Sequence, residues 1–371
     1  MEYIFAFSIF FLSLYFLTII FFLIGFNRIK PFNATTDDGN RSVYISVIVP
    51  FKNEEGHLPK LVEGLKNQSY DKAGYEVLFV NDHSGDNSEM LISANIKGID
   101  NFKIINQSPG KEGKKEALKT GISQAKGTLI VTTDADCLHQ RNWLKTIGLF
   151  YQHYRPKLII APVVMTGKGL FEKLQSLEFF SLIASGAGAA GLNRPILCNG
   201  ANLAYEKAVY EEFEDAMCSK EVSGDDVFLM HAIKRNYKKG ILFLKSKEAV
   251  VYTQSEPTLK AFVKQRTRWA SKSKSYTDGD TIYVSILVLL INIFILTIFA
   301  ASVFQLPVLK IALMVFAGKT LIDLMFLFFV SVFFKQRHLL TLVPILAILY
   351  PLYIVFTVVN AFRQGFQDKG K

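Results

Sequence analysis

Cysteine is scarce in this chain of 371 residues, which has only Cys137, Cys198 and Cys218. Their spacing matches neither a metal-binding pattern nor a disulfide framework. The sequence therefore argues against a cysteine-held metal and against disulfide stabilisation, and it suits a reducing compartment.

Charge is missing from three long stretches, residues 3–27, 281–309 and 338–362, in a chain that is 50% hydrophobic. Each is longer than the ~20 residues that cross a bilayer core. A fourth stretch, residues 311–334, is interrupted only by Lys319 and Asp323. Charges inside a span are rare and usually paired, so we expect these two, four residues apart on one helix face, to form a structural ion pair or to contact a lipid headgroup.

The first stretch also lacks the basic start of a cleavable signal, so we interpret it as a retained anchor. Basic residues follow it and crowd the chain before residue 281, which predicts a cytoplasmic middle region in a multi-pass protein of the inner cell membrane. A complete last crossing would place Arg363, Lys369 and Lys371 outside, against the charge rule, and Pro344 and Pro351 could make that segment re-entrant. The sequence leaves this crossing open.

We therefore divide the chain into four regions. They are an anchor at 1–30, a catalytic domain at 31–256, an amphipathic interfacial helix at 257–280 and transmembrane helices, about three, at 281–371.

Nucleic-acid motifs are absent despite the net charge of +10. No RNP, zinc-finger or helix-turn-helix pattern occurs, and many basic residues lie beside the apolar stretches. Membrane lipids with anionic headgroups are the expected partner, and no nucleic acid is expected.

Short apolar runs alternate with amphipathic stretches through the middle of the chain. The runs predict strands at 45–50, 75–80, 102–106, 128–133 and 158–164. The stretches between them predict helices at 55–67, 86–96, 111–126 and 141–154. This alternation predicts an α/β domain with a mostly parallel sheet, whose ligands bind beyond the carboxyl ends of the strands.

Acidic residues follow three of these predicted strands. Asp134 and Asp136 close the run 128–133, and such carboxylates can hold magnesium or manganese against a diphosphate. Glu54 and Asp82 follow the first two strands, where Asp82 could bind a base or ribose. The alternative is that aspartates here only form strand-end turns.

Two further motifs lie at predicted helix starts. Lys114, in a glycine- and lysine-rich turn, could favour a phosphate, or could be a solvated basic turn. Asp225 and Asp226 could cap a helix, or one of them could be the general base for an acceptor hydroxyl.

Taken in order, seven motifs resemble the membrane-bound family 2 glycosyltransferases over about 230 residues. They are Val49-Pro50 with Asn53-Glu54, Val80-Asn81-Asp82, Gly113-Lys114 with Ala117-Leu118, Asp134-Ala135-Asp136, Asn199-Gly200-Ala201-Asn202, Gly224-Asp225-Asp226, and Gln265 with Arg268-Trp269.

The resemblance implies a GT-A fold and inverting transfer of a sugar from a nucleotide-diphosphate donor. It implies that Pro50, Glu54 and Asp82 hold the nucleoside, that Lys114 lies near the nucleotide, and that Asp134 also contacts the donor. Asp134 and Asp136 match the D-x-D metal motif, for magnesium or manganese, and Asp226 matches the base. This chain departs from the family in having Asp225 where Glu is usual and Lys119 where Asn is common.

The resemblance also assigns acceptor binding. Asn199, Gly200, Gln265, Arg268 and Trp269 match positions near the acceptor, which we expect to be a lipid-linked or polyprenyl molecule. From the residues alone, the ring can stack on sugar and the polar groups can bind hydroxyls, or the segment can be an interfacial aromatic and arginine belt.

Three other functions remain as alternatives. A processive polysaccharide synthase would need a channel of many spans, and a transporter would need duplicated span sets. A non-catalytic sugar-nucleotide or lipid sensor would not need the full set of acids.

Overall fold

The computed structural model describes residues 2–34, 43–214 and 225–367, with no side-chain description for Asp225 or for residues 364–367. Predictions that involve Arg41, Cys218, Gly224, Lys369 and Lys371 lie outside the described residues.

The chain divides into two compact units. The sheet unit consists of Ile29–Thr166 and Leu197–Gln254. The helical unit consists of Met1–Arg28, Gly167–Ile196 and Ser255–Lys371.

A seven-stranded mixed sheet forms the core of the sheet unit, in the order β3-β2-β1-β4-β8-β6-β9. Its strands are β1 Ile45–Phe51, β2 Tyr75–Asn81, β3 Phe102–Asn106, β4 Leu129–Thr132, β6 Leu158–Ile160, β8 Leu203–Glu206 and β9 Ile241–Phe243. All neighbours are parallel except β8, which runs antiparallel to both β4 and β6. Strands β1, β2 and β4 are buried along their whole length, as expected for apolar runs covered on both faces.

Among its described residues, this unit has six α-helices. They are α2 Leu58–Lys66, α3 Ser88–Ile96, α4 Lys114–Gln124, α5 Trp143–Tyr154, α7 Lys207–Glu212 and α8 Asp225–Asn236. The first four lie within the helices predicted from the sequence.

The predicted strand at 158–164 is in fact two strands. Leu158–Ile160 joins the large sheet, whereas β7, Val163–Thr166, joins a small sheet with β5 Leu138–His139 and β10 Val251–Gln254. Pro162 separates them, because proline has no N–H to donate to a strand ladder.

The described part of the helical unit contains six α-helices. They are α1 Glu2–Arg28, α6 Leu170–Gly191, α9 Leu259–Ser271, α10 Gly279–Ser302, α11 Leu306–Phe334 and α12 Val343–Gln367. Within the described residues, four helical segments are long and apolar enough to cross a membrane: Glu2–Arg28, Gly279–Ser302, Leu306–Phe334 and Arg337–Arg363. The protein thus has the apolar helices of a membrane protein.

Helices α1 and α6 approach each other closely through glycine. A Cβ atom at Gly25 would lie 1.9 Å from the Gly188 carbonyl oxygen, and one at Gly188 would lie 2.3 Å from the Phe22 carbonyl oxygen. Small residues therefore let the two backbones touch.

The predicted ion pair in the third apolar helix is confirmed. The Lys319 ammonium lies 2.7 Å from an Asp323 carboxylate oxygen. The Tyr15 hydroxyl donates to the other oxygen at 2.6 Å.

Candidate active site

Asp82 lies in the loop that follows the buried strand β2, and Asp82 is itself buried. One of its oxygens accepts from the Gly113 N–H at 3.0 Å, and the other lies 3.5 Å from the Lys52 ammonium. The carboxylate thus joins the loop before α4 to the edge of the sheet.

Asp134 and Asp136 follow β4 at the same edge, because β1, β2 and β4 are parallel neighbours. The Lys114 ammonium, at the start of α4, contacts the Asp134 carboxylate. An Asp136 oxygen accepts from the Thr253 hydroxyl at 2.7 Å, so strand β10 orients this second acid.

Glu54 follows β1, and the charges of Asp134 and Asp136 both act on its carboxyl group. Burial raises the pKa of its carboxyl, and the His57 ring, 2.8 Å away, opposes that rise. The charges of Asp136 and Asp134 raise the pKa further. Three neighbouring strands therefore deliver acids to one edge of the sheet, and the acids that follow β1 and β4 interact.

Lys114 carries a positive charge within this group. Desolvation acts to lower the pKa of its ammonium, but the charge of Asp134, the hydrogen bond to Asp134 and the charge of Asp226 outweigh it, so the pKa is raised. About half of the side chain is exposed to solvent. A half-exposed, firmly charged cation can also bind an anion that enters from solvent.

Asp226 begins α8 and is held by backbone N–H groups. Its two oxygens accept from Gly200 at 3.0 Å and from Val227 at 2.9 Å. The Gly200 carbonyl accepts in turn from the Thr132 hydroxyl at 2.7 Å, which connects Asp226 to the end of β4.

An open cleft of about 580 Å³ lies beside Asp226. Leu118 and Lys119 of α4 and Leu203 of β8 help to line it, together with Gly200. The Lys119 ammonium pairs with Glu214 at 2.7 Å, so this departure from the family motif adds a charged pair to the cleft wall. Asn199 caps the turn that contains Gly200, because its side-chain oxygen accepts from the Ala201 N–H at 2.9 Å.

The donor set fits a hard divalent cation that is completed by substrate. Asp134 and Asp136 offer carboxylate oxygens, and within 2–34, 43–214 and 225–367 no group of three or more His, Cys, Asp or Glu residues could hold a metal ion by itself. Magnesium is commonly held by one or two carboxylates, with phosphates and water filling its other positions.

The predicted motif on α9 belongs to the helical unit. Gln265 donates to Glu256 at 2.6 Å, the Trp269 ring lies 6.1 Å from that of Phe179, and Arg268 is exposed. The structure thus gives Gln265 and Trp269 partners inside the unit and leaves Arg268 at its surface.

Sequence reasoning missed Arg266, which is only 1% exposed. Its guanidinium pairs with Glu178 at 2.6 Å and stacks over Trp269 at 4.2 Å. The signal was the spacing, because Phe262, Arg266 and Trp269 share one helical face.

The family is decided by the region that contains these strand-end acids. Residues 46–214 match the family model described as glycosyl transferase family 2. The chain carries a family 2 glycosyltransferase domain. This match confirms the resemblance over residues 46–214.

The matches to curated relatives cover only part of this chain. It is 31% identical over 102 residues to the glycosyltransferase AglE of Haloferax volcanii, spanning 28% of this chain and 33% of that protein. It is 38% identical over 95 residues to the undecaprenyl-phosphate 4-deoxy-4-formamido-L-arabinose transferase of Proteus mirabilis, spanning 25% of this chain and 28% of that protein. The chain thus spans about a third of the length of these two relatives.

A solved structure is similar over nearly the whole chain. The mannosyltransferase PcManGT of Pyrobaculum calidifontis, in complex with GDP-Man and Mn²⁺, gives a TM-score of 0.58 at 16% identity, covering 96% of this chain and 99% of its own. At this identity the likeness shows a shared fold. The predicted α/β GT-A class with long apolar helices at both ends is thereby confirmed.

Proposed function

We propose that this protein transfers a sugar, with inversion, from a nucleotide-diphosphate donor to a lipid-linked acceptor at the cytoplasmic face of the inner cell membrane. Transfer would depend on magnesium or manganese. The observation that carries the proposal is the cation and acids gathered at one sheet edge: Lys114 contacts Asp134, and Asp226 acts on the same ammonium.

The nucleotide would bind across the ends of β1 and β2. Asp82 is buried and faces the Gly113 turn, so it suits a donor group on the base or ribose. Pro50 and Glu54 would form the adjoining wall. Lys114, at a helix start, would bind the diphosphate.

Asp134 and Asp136 would hold the divalent metal. When bound, the metal would neutralise charge that develops on the departing nucleoside diphosphate. Thr253 keeps Asp136 in position through its 2.7 Å hydrogen bond. Lys114 would share its charge between Asp134 and the phosphates.

Asp226 would act as the general base. It would take the proton of the acceptor hydroxyl as that oxygen bonds to the anomeric carbon and the bond to the diphosphate breaks. The N–H groups of Gly200 and Val227 would fix the orientation of its carboxylate for this step.

Two observations favour a lipid-linked acceptor. The chain has four apolar helical segments of membrane-spanning length, and the name of the Proteus mirabilis relative specifies undecaprenyl phosphate. Exposed Arg268 on α9 could bind a phosphate or hydroxyls of such an acceptor. Gln265 and Trp269 would set the shape of that surface.

The test uses the full chain in lipid nanodiscs with a panel of nucleotide sugars. We expect one donor to release nucleoside diphosphate faster when undecaprenyl phosphate is added, and labelled sugar to enter the lipid fraction. EDTA should stop release, and added manganese or magnesium should restore it. Glu211→Gln, which removes an exposed carboxylate of α7, is the matched control and should keep full activity.

A separate result would contradict each part of the proposal. Donor binding without release, for every sugar and lipid, would indicate a non-catalytic binding protein. Release that ignores added lipid would exclude the lipid acceptor, and release that survives EDTA would exclude the metal.

A further inference from the structure

Helices α1 and α10 run in opposite directions through the helical unit. The Thr18 and Tyr283 hydroxyls are 2.9 Å apart, whereas the rings of Phe11 and Phe294 are 5.2 Å apart. The end of α1 therefore lies beside the beginning of α10. We call this the near side of the unit, and the side of the α10–α11 connection the far side.

Helix α11 returns to the near side. Gly318 packs on Leu12, and the rings of Phe334 and Phe26 are 6.1 Å apart. Contacts thus advance along α1 and α11 together, so the two helices are parallel. Phe334 ends α11 on the near side.

Helix α12 begins on that same side. A short 3-10 helix, Arg337–Leu342, connects it directly to the end of α11. The Gln336 N–H bonds to the Ser331 carbonyl at 3.0 Å, and Leu339 is buried. The connection is therefore packed against the helix that precedes it.

The other end of α12 is also on the near side. The Lys274 ammonium donates to the Ala361 carbonyl at 2.8 Å and lies 4.7 Å from the centre of the Phe362 ring. Lys274 precedes α10 by only five residues, since α10 begins at Gly279. A helix of 25 residues is ~37 Å long at ~1.5 Å per residue, so a crossing α12 would end far from Lys274.

The middle of α12 contacts α9, α6 and the middle of α11. The Tyr353 ring lies 5.5 Å from that of Phe262 on α9, and its hydroxyl donates to Glu178 at 3.3 Å. The Lys319 ammonium lies 5.3 Å from the Tyr350 ring. Because Lys319 is inside α11, α12 is sunk into the apolar layer rather than held above it.

The outer face of α12 is a row of exposed apolar side chains, most of them three or four residues apart. They are Ile345, Ile348, Leu349, Leu352, Phe356 and Val359. The neighbouring helix α9 exposes three cations four residues apart, Lys260, Lys264 and Arg268, and none of these pairs with an acid among the described residues. Acyl chains beside anionic headgroups match both surfaces.

We infer that α12 is not a fourth crossing but an in-plane helix, half immersed on the near side, whose apolar row binds the acyl chains of one leaflet. Three helices, α1, α10 and α11, then cross the membrane. Arg363 comes to the same side as the other basic flanks, which removes the conflict with the charge rule. This arrangement does not depend on the sugar or on the acceptor.

The test is sidedness labelling in intact cells. Single cysteines replace His338, Phe304 and Arg363 in turn, in a full-length chain whose native cysteines are changed to serine. All three positions are exposed, which favours folding, and a size-exclusion profile and donor binding check it. A membrane-impermeant maleimide is added before and after permeabilisation.

We expect Arg363→Cys to label with His338→Cys, the near-side marker, and on the opposite side from Phe304→Cys. Labelling of Arg363→Cys together with Phe304→Cys, or on both sides, would overturn the inference. Should Arg363→Cys fail to fold, a reporter fused after Lys371 of the unsubstituted chain gives the same two outcomes. Loss of transferase activity has no bearing on this result.

Discussion

The two units each contain a close pair of a cation and a carboxylate, in opposite surroundings. In the sheet unit, the side chains of Lys114 and Asp134 are 47% and 31% exposed. In the helical unit, those of Arg266 and Glu178 are 1% and 5% exposed. The same chemistry is therefore open to solvent in one unit and sealed in the other.

Solvent access decides what each pair can do. An exposed pair contributes only ~0–1 kcal/mol to stability, so its partners can exchange one another for a charged ligand. Removing one member of a buried pair costs ~3–5 kcal/mol, because the remaining charge has no water to solvate it. The open pair suits ligand binding, and the sealed pair suits anchoring of α9 on α6.

The largest effect is expected at Asp226, beside the open pair. Asp226→Asn should lower kcat by ~10²–10⁴-fold, because the amide cannot take a proton. Donor affinity should be unchanged. Thermal unfolding should shift only slightly, since the amide oxygen can still accept from Gly200 while the bond from Val227 is lost. Kinetics and calorimetry measure these, with Glu211→Gln as the control; loss of donor binding would instead assign Asp226 a structural role.

Breaking the sealed pair should affect stability first. Arg266→Met should lower the free energy of unfolding by ~3–5 kcal/mol because Glu178 is left buried and unpaired. Arg268→Met, about half a turn away at the surface, is the control. Denaturant unfolding in detergent gives the difference.

The double variant Arg266→Met with Glu178→Leu should recover most of that loss, because both charges are then gone. If Arg266→Met is as stable as Arg268→Met, the contrast between the two pairs is wrong.

Breaking the open pair should affect binding rather than stability. Lys114→Met should weaken donor binding by ~1.5–3 kcal/mol, the usual contribution of a charged hydrogen bond, or roughly ten- to a hundredfold in Kd. Titration calorimetry measures it, with Lys111→Met in the preceding turn as the control. A large fall in stability without a change in Kd would show that Lys114 serves only the fold.

The smallest effect is expected from the buried imidazole of His139 in the sheet unit. Burial lowers the pKa of His139 to about 3. In the unfolded chain histidine takes up a proton below its usual pKa of ~6.5, so acid favours unfolding throughout the window between these values. Stability should fall by at most ~1.4 kcal/mol for each pH unit below 6.5.

His139→Gln should flatten this pH profile and can keep the bond to the Thr133 hydroxyl. Unfolding curves between pH 7 and 5 compare the two proteins, and parallel curves for the wild type and His139→Gln would contradict the prediction.

The acids at the edge of the sheet could be predicted because each position depends on a local sequence pattern. Glu54, Asp82 and Asp134 each follow an apolar run, and parallel strands bring their ends together whatever the rest of the chain does. The partner of Asp136 could not be found this way. Thr253 lies on β10, and only the completed fold brings that strand to the acid.

The local sequence also does not show which of Arg266 and Arg268 is the buried arginine. Both lie beside the tryptophan in the sequence, and the buried partner, Glu178, is contributed by a different helix. The strand predicted at 158–164 was wrong for a similar reason, since two sheets share that segment. A partner from a distant part of the chain decided the first, and Pro162 together with the different sheets on its two sides decided the second.

The glycine contact between α1 and α6 has a consequence for synthesis. Helix α1 is synthesised before α6, and most of the sheet unit is made before Gly188 exists. The groove at Gly25 must therefore remain open until α6 arrives, and a generic apolar anchor in place of α1 would offer α6 no such groove. The first helix is thus a template on which a later part of the chain is assembled.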